Sequence, residues 1–249
     1  MHFKLFFSAF ILAFFGLCQS YGAPRNCVQL IGQLEPVSHA VKNNLFVTVR
    51  TLQEYQHGLH PDFKMTLGNL TATDTWIDLG GGKGNAVEDY LKTHTSVAAA
   101  TQTVLVTYKL SRFFGIKKYD GKLKLLEGRL FEDIPLMEIP NAKLMTDFFG
   151  VLSYTRDLTQ SLNMIFNRLT LGGELYIHSS PMYTTIVTYD GPIGLQKFLE
   201  LVPGIKVEGR AGVIKVTKIL DIVTVPKLKL VRIDEATLPA FRRFEVIEE

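Results

Sequence analysis

The stretch Thr75-Trp-Ile-Asp-Leu-Gly-Gly-Gly-Lys-Gly-Asn85 constrains what this chain can fold into more than any other. A short apolar run breaks into glycines and then into Val87-Glu-Asp-Tyr-Leu91, which predicts a buried strand, a tight loop and a helix. Gly80, Gly82 and Gly84 lack a Cβ, so the loop is free to turn with positive φ and to let another molecule approach its backbone. Asn85 stands where an N-cap is expected, with Glu88 three residues on to complete a capping box. A unit of this kind points to an α/β architecture, and it turns loop amides and a helix start toward a ligand.

Spacing and charge narrow the ligand. A dinucleotide fingerprint, G-x-G-x-x-G, puts its third glycine where this chain has Asn85, and a P-loop needs Ser or Thr after Gly-Lys, where this chain has Lys83-Gly84. Asp78 at the mouth of the loop repels a pyrophosphate and attracts an ammonium group, so a cationic amino-acid nucleoside suits the site. The stretch resembles motif I of the class I S-adenosylmethionine-dependent methyltransferases. The resemblance continues in order through Lys122-Leu-Lys-Leu-Leu126 with its exit loop Glu127 to Pro135, then Lys143-Leu-Met-Thr-Asp147 followed by Phe148 to Tyr154. It goes on through an amphipathic run from Asp157 to Leu169 into Leu169-Thr-Leu-Gly-Gly-Glu-Leu-Tyr-Ile177, where Leu171 replaces the usual proline.

What the resemblance implies is a Rossmann-like three-layer α/β sandwich. Its mostly parallel seven-stranded sheet has an antiparallel strand near the C-terminus, formed here by the pair Gly204 to Gly209 and Val213 to Ile219. The domain would occupy residues 75–249 behind a helical cap segment at 23–74, with a helix from about Pro36 to Leu59 and a second from Ile193 to Leu201. Lys227 to Ile233 and Phe241 to Ile247 suggest a further hairpin, and no second domain is expected. The implied cofactor is S-adenosyl-L-methionine and the implied activity is methyl transfer to a small molecule or a protein. Asp78, Gly80, Gly81, Gly82 and Gly84 would hold the methionine end, Thr107 a ribose hydroxyl, the backbone near Leu130 the adenine, and Asp147 the cofactor as well.

Two positions depart from the family pattern. The second strand, Val104-Leu-Val-Thr107, runs into Tyr108-Lys109 with no acid for the ribose, and Gly128-Arg129 puts a donor-only side chain where an acid would accept from adenine. They support the alternative of a non-catalytic exported protein whose altered fold binds another ligand or a protein partner. Methyl transfer demands alignment and a water-poor pocket rather than a dedicated nucleophile. A base is sought at the carboxyl ends of the strands, where Asp147, Tyr154, His178 and Tyr183 qualify. Each has a competing structural role: a cap for Asp147, helix packing for Tyr154, a satisfied strand-end polar group for His178. The cap segment adds Tyr55, His57 and His60.

Met1-His-Phe-Lys4, the apolar run from Leu5 to Leu17 and Ser20-Tyr-Gly22 form the three regions of a secretory signal, so export is expected, with an uncleaved membrane anchor as the alternative. Cleavage after Gly22 would leave Cys27 as a single cysteine and exclude an intramolecular disulfide. The chain is 47% apolar and 20% charged, enough to bury one core. A net charge of +3 is spread through scattered lysines, which argues against nucleic acid as the acceptor. Six histidines include His57 and His60, without a carboxylate or cysteine set that would complete a metal site. Oligomeric state has no signature in the sequence.

Overall fold

The computed structural model describes residues 49–94, 102–107, 119, 121–180, 184–234 and 241–247. The expected signal segment 1–22, the cap segment up to residue 48, Tyr108, Lys109 and Tyr183 lie outside the described residues. The helices described are α1 Leu52–Gly58, α2 Phe63–Gly68, α3 Asn85–Thr93, α4 Val151–Tyr154, α5 Leu158–Arg168 and α6 Leu195–Glu200. The strands are β1 Thr75–Leu79, β2 Gln102–Thr107, β3 Leu123–Glu127, β4 Ala142–Phe148, β5 Leu169–His178, β6 Thr184–Thr188, β7 Gly191–Gly194, β8 Ile205–Arg210, β9 Val213–Lys218, β10 Leu228–Asp234 and β11 Phe241–Val246.

Seven strands form one sheet in the order β3-β2-β1-β4-β5-β9-β8. Pairing is parallel from β3 to β5, then antiparallel at β5 with β9 and at β9 with β8. The implied α/β sheet and its antiparallel strand are therefore present. From β1 the chain moves outward to β3 and returns on the other side at β4, so the strand order reverses between β1 and β4. In open α/β sheets the crevice above such a switch point is where ligands bind.

β1 is central because every one of its residues is buried, as strands covered on both faces require. On one face Trp76, Leu105, Leu144 and Tyr176 pack with Tyr55, Phe63 and Tyr90 from α1, α2 and α3. On the other, Ile77, Val106, Met145 and Ile177 pack with Leu162 and Ile165 of α5 and Phe198 of α6. The cap is fastened to the sheet as well as packed on it. Thr66 of α2 bonds Glu174 at 2.6 Å and the Tyr176 hydroxyl at 2.8 Å, while Lys215 of β9 pairs with both Asp62 (2.8 Å) and Glu174 (2.9 Å).

Four expectations need correction. The helix expected from about Pro36 to Leu59 is, among the described residues, α1 alone, which starts after an extended N-cap at Thr51 whose side chain and Glu54 form a capping box. The helix start at Asn85 is capped by Gly84 in a left-handed conformation (φ 78°), so Asn85 is already helical and no capping box forms; Glu88 pairs instead with Lys92 at 3.2 Å. The helix expected from Ile193 begins at Leu195, because Gly191-Pro-Ile-Gly194 is strand β7. The expected hairpin of β10 and β11 exists, but β11 also pairs in parallel with β6, and β6 with β7, which makes a second four-stranded sheet in the order β10-β11-β6-β7. Its Ile186, Leu230, Ile233 and Phe244 join the same apolar cluster as Ile77 and Leu162, so the two sheets share a core.

Candidate active site

The glycine loop takes the shape its composition allows. Gly80, Gly82 and Gly84 have φ of 77°, 59° and 78°, a region closed to most side chains. Gly80 also meets the loop after β4: a Cβ there would stand 2.5 Å from the Cα of Gly150. Gly81 lies on the Asp78 carboxylate, so a Cβ at that position would overlap Asp78 Oδ2 and reach within 2.6 Å of Leu105. The loops leaving β1 and β4 are thus locked against each other at the switch point.

Asp78 is fully buried beneath this loop. Its carboxylate accepts from the Thr146 hydroxyl at 2.8 Å and from the Tyr55 hydroxyl at 3.1 and 3.2 Å. Burial pushes the carboxyl up to about 6, opposed by the two hydroxyl donors and the nearby Arg50 charge. The Tyr55 hydroxyl is raised well above its ordinary range by its own burial and then by Asp78. The Asp78 carboxylate is thereby tied to the cap helix α1. Tyr55 was among the cap residues named from sequence; Thr146 and Arg50 were not, since neither a strand threonine nor an isolated arginine carries a motif.

The loop after β4 is built around Asp147. Its two oxygens accept from the backbone amides of Gly150 (3.0 Å) and Leu152 (2.8 Å), so it caps α4. It too is fully buried, and burial raises it to about 7 against the pull of those amides. Asp147 consequently takes the capping role and does not stand open as a base. Phe149 beside it has a φ of 49°, a strained conformation for a bulky residue of the kind that collects at functional sites. At the other end of α4 the buried Arg242 of β11 donates to Leu152 O and Thr155 O, each at 2.7 Å, and to the Thr184 hydroxyl at 2.9 Å. Burial pushes its guanidinium down to about 10, still protonated at neutral pH. Tyr154 packs half-buried against the core cluster, as its structural role required.

His178 ends β5 and forms an aromatic group with Phe148 and Phe149, at ring separations of 4.5 and 4.8 Å. Arg50 lies over both phenyl rings, at 4.7 and 5.4 Å, and donates to Phe148 O at 3.1 Å. The imidazole Nδ1 is buried without a hydrogen-bond partner, beside Gly58 of α1. Burial lowers its pKa, the Gly58 backbone opposes, and the Arg50 charge lowers it further, which favours the neutral imidazole. Tyr55 stacks 5.1 Å from Phe148, which joins the Asp78 and His178 groups into one site under α1. His57 is exposed, and His60 stands 6.4 Å from the Tyr176 ring, outside this group.

Toward β2 and β3 the side chains hold the frame. Thr107 is buried and donates to Gly82 O at 2.6 Å, tying the end of β2 to the glycine loop. Leu130 accepts from the amide of Asp133 at 3.0 Å. Arg129 makes a two-pronged contact to Glu138, at 3.0 and 2.5 Å.

No protein-family model matches the chain, and no curated protein matches it. Among solved structures it is similar to the 1,6-didemethyltoxoflavin N1-methyltransferase of Burkholderia thailandensis, solved with 1,6-didemethyltoxoflavin and S-adenosylhomocysteine. The match covers 77% of this chain and 92% of that one, with a TM-score of 0.50 at 11% identity. This is the class I methyltransferase fold. MNMC2 from Aquifex aeolicus is matched over 71% of this chain with a TM-score of 0.45 at 14% identity; the match spans 63% of that protein, a little under two thirds of its length. In the methyltransferase fold of this chain, the glycine loop, the Asp147 cap and the His178 group all stand at the carboxyl ends of β1, β4 and β5.

Proposed function

We propose that the chain is an S-adenosylmethionine-dependent methyltransferase. The observation that carries this is the loop from Gly80 to Gly84, held with three left-handed glycines at the switch point and locked against Gly150. The amides of Gly80, Gly81 and Gly84 are spent on Val106 O and Gly81 O, which fixes the loop, so the amides of Gly82 and Lys83 at its tip are the ones a ligand would meet, on an approach that glycine keeps clear of side chains. Beneath it Asp78 supplies negative charge to a methionine ammonium group through one layer of backbone, while Tyr55 keeps the cap closed over it. S-adenosylmethionine supplies an electrophilic methyl group when bound. The residues of this chain orient it and exclude water, and the neutral imidazole of His178 is the group suited to take a proton from the acceptor.

One observation favours the alternative of a non-catalytic binding protein: the Thr107 hydroxyl and the Arg129 guanidinium, at the ribose and adenine ends, are both engaged within the protein. Calorimetric titration with S-adenosylmethionine and S-adenosylhomocysteine separates the two. Binding by the wild type, weakened at least tenfold in Asp78→Ala, supports the enzyme reading; absence of binding at millimolar cofactor refutes it. Export through residues 1–22 is likewise proposed, on the charged start, apolar run and small-residue end of that segment.

A further inference from the structure

A cavity of about 430 Å³ opens at the carboxyl end of β5, one residue beyond His178. Ser179 and Ser180 form one wall, Leu195 and Ile214 the apolar floor, and Arg210 and Ala211 of the turn between β8 and β9 the rim. Its volume is that of a small-molecule site, and most of its lining is apolar with a few polar groups, the composition expected of one.

Three observations bear on what it takes. The first is charge. Lys197 and Glu200 at the edge pair with each other at 2.7 Å, and Glu200 also accepts from Gln196 at 3.1 Å. Among the described residues Arg210 has no side-chain partner, so the rim carries one uncompensated guanidinium. The second is the Ser179 hydroxyl, buried with the Ser180 carbonyl as its one contact, at a long 3.5 Å. The third is the turn. Ala211 and Gly212 have φ of 52° and 85°, so the two-residue hairpin is left-handed throughout, and Ala211 holds a conformation that suits glycine or asparagine. The strained residue sits on the rim of the cavity, next to the free cation.

We propose that this cavity receives the methyl acceptor, and that the acceptor is a small amphiphilic acid whose anionic end pairs with Arg210 while its apolar body lies on Leu195 and Ile214. The proposal rests on the methyltransferase reading. A guanidinium fits a carboxylate or a phosphate with two parallel hydrogen bonds, and Ser179 adds a donor beside it. The glycine loop is two strands away across β4, about 10 Å at the ordinary strand spacing of ~4.8 Å, a span that a molecule of this size bridges. His178 precedes Ser179 on β5, with its ring against Phe148 and Phe149. On transfer the methyl group leaves the sulfonium, whose sulfur keeps the bonding pair as a neutral thioether. The acceptor oxygen or nitrogen forms the new bond to carbon, and its proton passes to His178.

The test uses 4-hydroxyphenylacetate, its primary amide, and phenyl phosphate as probes on the full-length protein, with ligand-observed NMR for binding and tritiated S-adenosylmethionine for transfer. Both anions should bind at least fivefold more tightly than the amide if shared charge is what is read, and the stronger of the two identifies carboxylate or phosphate. Arg210→Gln should reduce the anions to the level of the amide and leave the amide unchanged, with circular dichroism confirming the fold. Label should appear in the hydroxyl-bearing acid, with kcat/KM falling in step with binding in Arg210→Gln. Equal binding of acid and amide, indifference to Arg210→Gln, or no labelled acid overturns the proposal. A parallel titration with S-adenosylhomocysteine separates the two readings: cofactor binding with no anion binding sinks the acceptor cavity alone, whereas anion binding without cofactor binding sinks the methyltransferase reading.

Discussion

Replacing Tyr55 by Phe removes one hydroxyl and should cost stability in a manner that depends on pH. Tyr55 and Thr146 are the two side chains that donate to the buried Asp78, at 3.1 and 2.8 Å. A hydrogen bond to a buried charged group contributes about 1.5–3 kcal/mol, and one to a neutral acid about 0.5–1.5 kcal/mol. The folded Asp78 carboxyl sits at about 6 against an ordinary 3.8, so its contribution to stability falls as pH rises from about 4 to 6 and then levels off, while Asp147, at about 7, adds the same further fall to both proteins. Losing Tyr55 raises the folded pKa of Asp78 further, so in the variant this contribution goes on falling above pH 6 where that of the wild type has levelled. At ~1.4 kcal/mol per pH unit, the difference should widen over about one to two units and reach its full value near pH 8. Guanidinium unfolding of both proteins between pH 5 and pH 9 measures this directly. In an Asp78→Asn background the cost of Tyr55→Phe should no longer vary with pH, and the double variant should be non-additive. A Tyr55→Phe cost that is constant across this range would refute the reasoning, because it would mean that the hydroxyl does not serve an ionised Asp78.

Gly81→Ala forces a methyl group onto the Asp78 carboxylate and within 2.6 Å of Leu105, and should cost roughly 1–3 kcal/mol, or about 2–12 °C in melting temperature. Gly68→Ala, where a Cβ meets nothing within 4 Å, serves as the control and should leave the melting temperature within about two degrees. Arg242→Met leaves the carbonyls of Leu152 and Thr155 without their donor while relieving a buried charge, for a net loss of about 1–3 kcal/mol by denaturant unfolding together with weakened cofactor binding. Mass spectrometry of protein from its native host should find a mature N-terminus near Ala23, and full-length chain in the soluble cytosolic fraction would contradict export.

The sheet was legible because its strands carry their own signals: β1, β2 and β4 are continuous apolar runs, and the loop after β1 holds glycines where positive φ is needed. The second sheet was not, since β6 buries chiefly Ile186 and Thr184, β7 contains Gly and Pro, and β11 pairs with a strand more than fifty residues earlier. The site divided along the same line. Residue types at Asp78, Asp147 and His178 pointed to the carboxyl ends of β1, β4 and β5, but what each touches depends on neighbours the motif does not specify. Asp147 looked like a base and is a cap because two amides of the next turn point at it. Asp78 looked like a ligand group, and the hydroxyl that meets it comes from a helix 23 residues upstream. Asn85 had the composition of a cap and lost that role to Gly84, whose left-handed backbone begins the helix one residue earlier than side-chain preference suggests.

Arg242 gives the order of assembly a consequence for the site. Its bonds to Leu152 and Thr155 close over 90 and 87 residues of chain. A nascent polypeptide that has emerged through β9 already holds every strand of the large sheet, and Asp147 can cap the near end of α4 from within its own loop. The far end of that helix has no donor until β11 has been made and has paired with β6. The wall of the crevice beside Phe149 therefore depends on a strand from the end of the chain, and a truncation before β11 would strip the support of α4 while sparing every strand of the large sheet.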